Sequence, residues 1–173
     1  MQDTNRKMDN NKKTDTAFKL LDNVQNLIKF ADTKINVLLV ISTVTTTFVL
    51  TNFQNLYDLN CFSKTTLGLF FLAFICFVVL SILTISPRTD KYTGSSPAKT
   101  IYFKHISARV KAKDFIDDFN KLTLKSCVTD ILYQVYENSK IADKKFAFYN
   151  RSLIALQAQI FFFFLLLGLK FFS

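Results

Sequence analysis

Apolar residues along this chain gather into three long runs, at positions 35–53, 66–86 and 153–172, with polar stretches between them. Each run has the roughly 20 residues that a helix rising 1.5 Å per residue needs to cross a bilayer, so three transmembrane helices are predicted. The first run is the least apolar, because it carries Ser42, Thr43, Thr45, Thr46, Thr47 and Thr51. Hydroxyls of this kind bond back to their own helix carbonyls or across to a neighbouring helix, which marks a helix–helix face and does not forbid insertion. The second run, LGLFFLAFICFVVLSILTI, and the third, LIALQAQIFFFFLLLGLKFF, are more uniformly apolar.

Ahead of the first run, Ala17, Leu20, Val24, Leu27 and Ala31 recur at spacings of 3, 4, 3 and 4, joined by Leu21 and Ile28. This is an amphipathic helical stripe over 14–34, with Thr14 or Asp15 as N-cap and residues 1–13 as a disordered tail. No Gly or Pro lies between Thr14 and Phe53, so one helix is expected to run on into the first span. Residues 54–65 read as a loop. The second run stops at ISPRTD, where Pro87 cannot continue the helix and Arg88 can reach lipid headgroups. TDKYTGSSPAKT is a loop by composition. Helical pattern resumes near Ile101, with Ile106, Val110, Phe115, Phe119 and Leu122 available to pack, and breaks near 123–126. A last helix starts near Ser126, carries Val128, Ile131, Leu132, Val135, Ala142, Phe146 and Tyr149, and merges with the third span, meeting no Gly or Pro before Gly168.

Charge sets the expected orientation. Of the 22 Lys and Arg, seven lie in residues 1–34 and thirteen in 87–152, leaving only Lys64 between the first two spans and Lys170 at the far end. Basic flanks are retained in the cytoplasm, so the N-terminus and 87–152 should be inside, 54–65 an outer loop, and the C-terminus outside. The fold class expected is therefore an all-α membrane protein with three transmembrane helices, two of them extended into a small cytoplasmic helical bundle built from 14–34 and 87–152. The net charge of +9 is accounted for by these flanks, which argues against DNA or RNA as a partner and for the lipid bilayer. Half the residues are apolar and twenty are Phe, so the chain is not disordered. Its polar first fifteen residues have no apolar core for a cleavable signal peptide.

Chemistry is thin. Cys61, Cys76 and Cys127 have neither redox nor zinc spacing and read as inert. The single histidine, His105, has no catalytic partner in any recognisable motif, and adjacent Asp117 and Asp118 diverge by about 100° on a helix. No enzyme activity, metal or cofactor is expected. Basic and aromatic residues do share segments: Lys104, Arg109, Lys111 and Lys113 on one, Lys140, Lys144, Lys145 and Arg151 on another. They suit an anionic lipid surface, or a phosphate-bearing ligand whose base would stack on Tyr102, Phe103, Tyr133, Tyr136 or Tyr149. No charge lies inside a span except Lys170 near an end, so a pore would have to form between protomers, lined by the Ser and Thr stripe of the first span.

The stretch FADTK at Phe30 to Lys34, leading straight into a span, is followed by a second span ending in Pro87 and Arg88, then IYFKHIS, and SKIADKKF before the last span. From about residue 17 onward the chain resembles the transmembrane effectors of Pycsar, the bacterial anti-phage system that signals through cyclic pyrimidine mononucleotides. It departs from that pattern at Ile35 and Asn36, where small residues are usual, and at Phe146, where Tyr is usual. The resemblance implies an effector that binds cyclic UMP or cyclic CMP as activating ligand, self-associates as a homo-oligomer and impairs the inner membrane, causing growth arrest. It singles out Asp32, Lys34, Arg88 and Lys145. Asp32 and Lys34, two apart on a helix, do not face each other. Asp32 therefore needs another partner, and Arg88 or Lys145 could stand at its depth, giving an ionic cluster that a nucleotide phosphate could rearrange. A constitutive membrane anchor or scaffold for a partner protein is the alternative, and a holin-like channel without a sensor a third reading.

Overall fold

The computed structural model describes residues 10–58, 60–86, 106 and 110–171. Every element among them is helical: α1 (Asn10–Thr51), α2 (Phe53–Tyr57), α3 (Cys61–Ile85), α4 (Ala112–Asn120) and α5 (Leu124–Phe171). Three of these, α1, α3 and α5, are long and apolar enough to cross a membrane. At 42 and 48 residues, α1 and α5 far exceed a single crossing. Their length follows from sequences with no proline and, before Gly168, no glycine to end a helix.

Several boundaries differ from the sequence reading. The first helix opens at Asn10, inside the segment expected to be a disordered tail. Thr14 and Asp15 are internal to it, and the Thr16 hydroxyl donates to the Lys12 carbonyl at 2.7 Å, as a residue inside a helix does. Residues 54–65 are not simply a loop: they hold most of α2 and the first turn of α3. Asn60 is the cap that starts α3 early, its side-chain oxygen accepting from the Ser63 N–H at 2.7 Å. The Ser63 hydroxyl donates to the Leu56 carbonyl, tying α2 to α3. Cys61 thus opens a helix. At the other end of α3, Ser86 has φ −56° and ψ 125°, the extended conformation imposed on a residue that precedes proline.

The chain divides into two compact units, Met1–Leu27 with Arg88–Ala142, and Ile28–Pro87 with Asp143–Ser173. In the first, Ala17, Ile131 and Ala142 are buried. Phe115 and Phe119, one turn apart on α4, stand 6.0 Å apart between ring centres. The junction of α4 and α5 is made by a reciprocal cap. Thr123 Oγ1 accepts from the Ser126 N–H at 3.2 Å, while Ser126 Oγ accepts from the Thr123 N–H at 3.1 Å. Most of 101–111, expected as the start of the α4 helix, falls outside the described residues.

In the second unit, the spanning parts of α1, α3 and α5 meet along two apolar clusters. One joins Val49, Leu56, Leu67, Phe70 and Leu166; the other joins Ile35, Phe77 and Leu156. Ile35 is fully buried. Lipid is as apolar as these side chains, so their burial adds close packing and no hydrophobic drive. Hydrogen bonds between helices supply what packing alone does not. Gln159 of α5 is fully buried: its Oε1 accepts from the Ser42 hydroxyl at 2.7 Å and its Nε2 donates to Thr46 Oγ1 at 3.0 Å. The same Nε2 also stands 3.2 Å from Thr45 Oγ1 and 3.3 Å from the Ser42 carbonyl. The Gln159→Leu variant, which keeps the volume and removes these bonds, should lower the thermal midpoint of the detergent-solubilised protein. The loss expected is about 1–3 kcal/mol, and an unchanged midpoint would show that this buried amide does not help to hold α1 to α5.

Candidate functional site at the Asp32–Lys145 ion pair

The FADTK turn of α1 places Asp32 on the side of the helix next to α5, and SKIADKKF places Lys145 opposite it. The Lys145 ammonium bonds the Asp32 carboxylate across 113 residues of sequence. The lysine side chain keeps only 10% of its surface exposed and the aspartate 38%, so the pair is open to solvent mainly from the acid's side. A buried ammonium is costly unless an anion faces it, which is what Asp32 provides.

Lys34 takes no part in that pair. It is exposed and lies over the Phe30 ring at 4.3 Å and near the Tyr149 ring at 5.8 Å. Tyr149 packs edge-on against Phe146, with centroids 6.5 Å apart. The second unit therefore gathers two lysines, one carboxylate and three aromatic rings near one end of its spans. Arg88, the fourth expected member, lies outside the described residues, as do His105, Tyr102, Phe103, Lys104 and Arg109. In the first unit, Lys140 stands over the Tyr136 ring at 4.1 Å and is 3.4 Å from Glu137. A hydrogen bond with Tyr136 leads the effects that push its ammonium above the usual lysine range, so it stays charged at neutral pH. Burial, with the nearby Asp130 carboxylate, raises the Cys127 thiol, which disfavours the reactive thiolate.

Two further polar contacts tie α5 to α1 or to the residue just past it. The Ser and Thr stripe reads in the sequence as a helix–helix face, but that reading singles out neither its partner Gln159 nor the Lys170 contact. One is the Gln159 group described above. The other is Lys170, whose ammonium donates to Asn52 Oδ1 at 2.6 Å while the Asn52 amide donates to the Phe48 carbonyl at 2.9 Å. Asp32 and Asn52 are twenty residues apart, about 30 Å of helix, which matches the thickness of a bilayer's hydrocarbon layer. Ser42 stands midway. The two lysines on α5 bracket a longer stretch, about 37 Å, since each long side chain can reach back toward its partner.

A family model described as the Pycsar effector protein domain matches residues 16–171, nearly the whole chain. The chain belongs to the Pycsar effector family. A search of curated proteins and a search of solved structures return no match. As a Pycsar effector with three helices fit to cross a membrane, it is a membrane protein with a role in anti-phage defence. The two junctions that carried the resemblance, FADTK and SKIADKKF, supply one partner each of the ion pair.

The two partners should not be equivalent in mutagenesis. Asp32→Asn leaves the Lys145 charge buried with no counter-ion and is expected to destabilise by about 2–4 kcal/mol. Lys145→Met leaves an aspartate that water can reach, and about 1–2 kcal/mol is expected. Thermal melts in detergent of the two single variants and the double variant would check this. Strictly additive losses would mean that the pair is not coupled.

Proposed function

We propose that this Pycsar effector binds a cyclic pyrimidine mononucleotide, cyclic UMP or cyclic CMP, on the cytoplasmic side, then self-associates and impairs the bacterial inner membrane, arresting growth. The observation that carries this reading is the match to the Pycsar effector protein domain over residues 16–171. The asymmetry of Lys and Arg between segments supports an N-terminus inside and a C-terminus outside.

The Asp32–Lys145 pair is the proposed switch. A cyclic nucleotide carries one phosphate charge, and that anion can compete with Asp32 for Lys145 while Lys34, which has no counter-ion among the described residues, adds a second positive charge. Tyr149 offers a ring against which a base can stack. Binding shifts the population toward the active assembly only to the extent that the ligand prefers it over the resting one. Arg88, adjacent to the end of the second span in sequence, is proposed as a further phosphate contact.

Dye release from liposomes holding the purified full chain tests the reading, with cyclic UMP, cyclic CMP, cyclic AMP, cyclic GMP and no ligand compared side by side. Release with a pyrimidine nucleotide alone is expected. It should fall at least about tenfold in Lys34→Ala or Arg88→Ala, the worth of one charge-assisted bond, whereas Asp32→Asn, which removes the competitor for Lys145, should release dye without ligand. Release that matches the wild type in all three variants would remove the ionic switch. Silence with every ligand, with insertion confirmed, would favour a constitutive scaffold for a partner protein.

A further inference from the structure

Gln157 and Gln159 are two residues apart on α5, so their side chains leave the helix about 200° apart. Gln159 is fully buried and bonded to α1; Gln157 is exposed and has no hydrogen-bond partner among the described residues. It stands twelve residues from Lys145 and thirteen from Lys170, about 18 Å and 20 Å of helix, at the middle of the stretch that crosses the membrane. Neither water nor headgroups reach that depth, and an unpaired amide in hydrocarbon is costly.

The other outward faces do not share this problem. On α3 the outward residues Leu72, Ile75, Val79 and Ile82 are hydrocarbon. On α1 the outward hydroxyls of Thr43 and Thr47 donate to the Leu39 and Thr43 carbonyls, at 2.8 Å and 2.9 Å. Asn36, also outward, is only four residues past Asp32, about 6 Å, where headgroups remain in reach.

We infer that Gln157 joins one copy of this chain to another by amide-to-amide hydrogen bonds at the middle of the membrane. Copies inserted in the same sense hold this residue at one depth. A carboxamide both donates and accepts, so two identical side chains satisfy each other with no further polar group. Ile154 and Phe161, one turn to either side and both exposed, pack around the bonded pair. This names the contact surface for the self-association in the proposed function and rests on that reading.

The test is the association of the full chain in lipid vesicles, followed by energy transfer between labelled copies, with and without cyclic UMP and cyclic CMP. Gln157→Leu should weaken association about tenfold, and Gln157→Asn should retain most of it. Leucine suits both helix and lipid, so the thermal midpoint of Gln157→Leu should stay at the wild-type value, unlike that of Gln159→Leu. In a background lacking Cys61, Cys76 and Cys127, Gln157→Cys should cross-link between copies and Ile75→Cys, on the outward face of α3, should not. A wild-type chain that stays monomeric under every condition would overturn the self-association reading together with this inference. A wild-type assembly that Gln157→Leu leaves equally tight would overturn the inference alone.

Discussion

Inside a bilayer a polar side chain has no water to fall back on, and the pairing of α1 with α5 depends on that constraint. Gln159 could satisfy its amide only by meeting another polar group of the protein, and Ser42 with Thr46 are the groups at its depth. The contact therefore sets rotation and register together: a turn of either helix about its axis would leave a buried carboxamide and a hydroxyl unpaired. Apolar contacts such as Ile35 with Phe77 and Leu156 are less selective, because a shifted helix still finds apolar neighbours. Asp32–Lys145 and Asn52–Lys170, about 30 Å apart along α1, hold the same register at the two ends of the span.

These three ties differ in what they can respond to. The Gln159 group is sealed, so nothing in solution can exchange with it. At the Asp32 end, the aspartate is partly open while the lysine is closed in, so an arriving anion would meet the pair through the acid. Lys34, held over Phe30 and near Tyr149 instead of facing Asp32, leaves a positive charge beside the pair. Position along the span thus separates a sealed contact that fixes the fold from one that is partly open to solvent.

The spans and the long helices were legible in the sequence because length, apolar content and the scarcity of Gly and Pro are properties of one chain segment at a time. The Asp32–Lys145 pair was foreseen as one of two options, since helical geometry excludes Lys34 as partner and leaves Arg88 and Lys145 at a plausible depth. What stayed hidden depends on helical phase or on caps. Gln157 and Gln159 look alike in LQAQI, and only packing against α1 decides that one is inward and the other outward. The early start of α3 hung on a single asparagine cap, and α1 starts at Asn10 in a segment, NNKK, whose polarity resembled a tail.

On the proposed function, energy scales bear on how a single ion pair could lead to a response as abrupt as membrane failure. Exchanging one partner of a partly buried pair is worth about 1–3 kcal/mol, which shifts a two-state equilibrium by roughly tenfold to a hundredfold. Moving a population from 1:99 to 99:1 takes about 5.5 kcal/mol, more than one such exchange supplies. An effector that acted as a monomer through this switch would either leak before infection or respond weakly to it. When copies act together, the per-site preferences multiply, and at about 2–3 kcal/mol per site two or three sites suffice to cross the same gap. If Asp32–Lys145 is the switch, so small a change is best matched to a protein whose active form is an assembly, and among the described residues the outward Gln157 is a side chain that a monomer in lipid leaves unpaired.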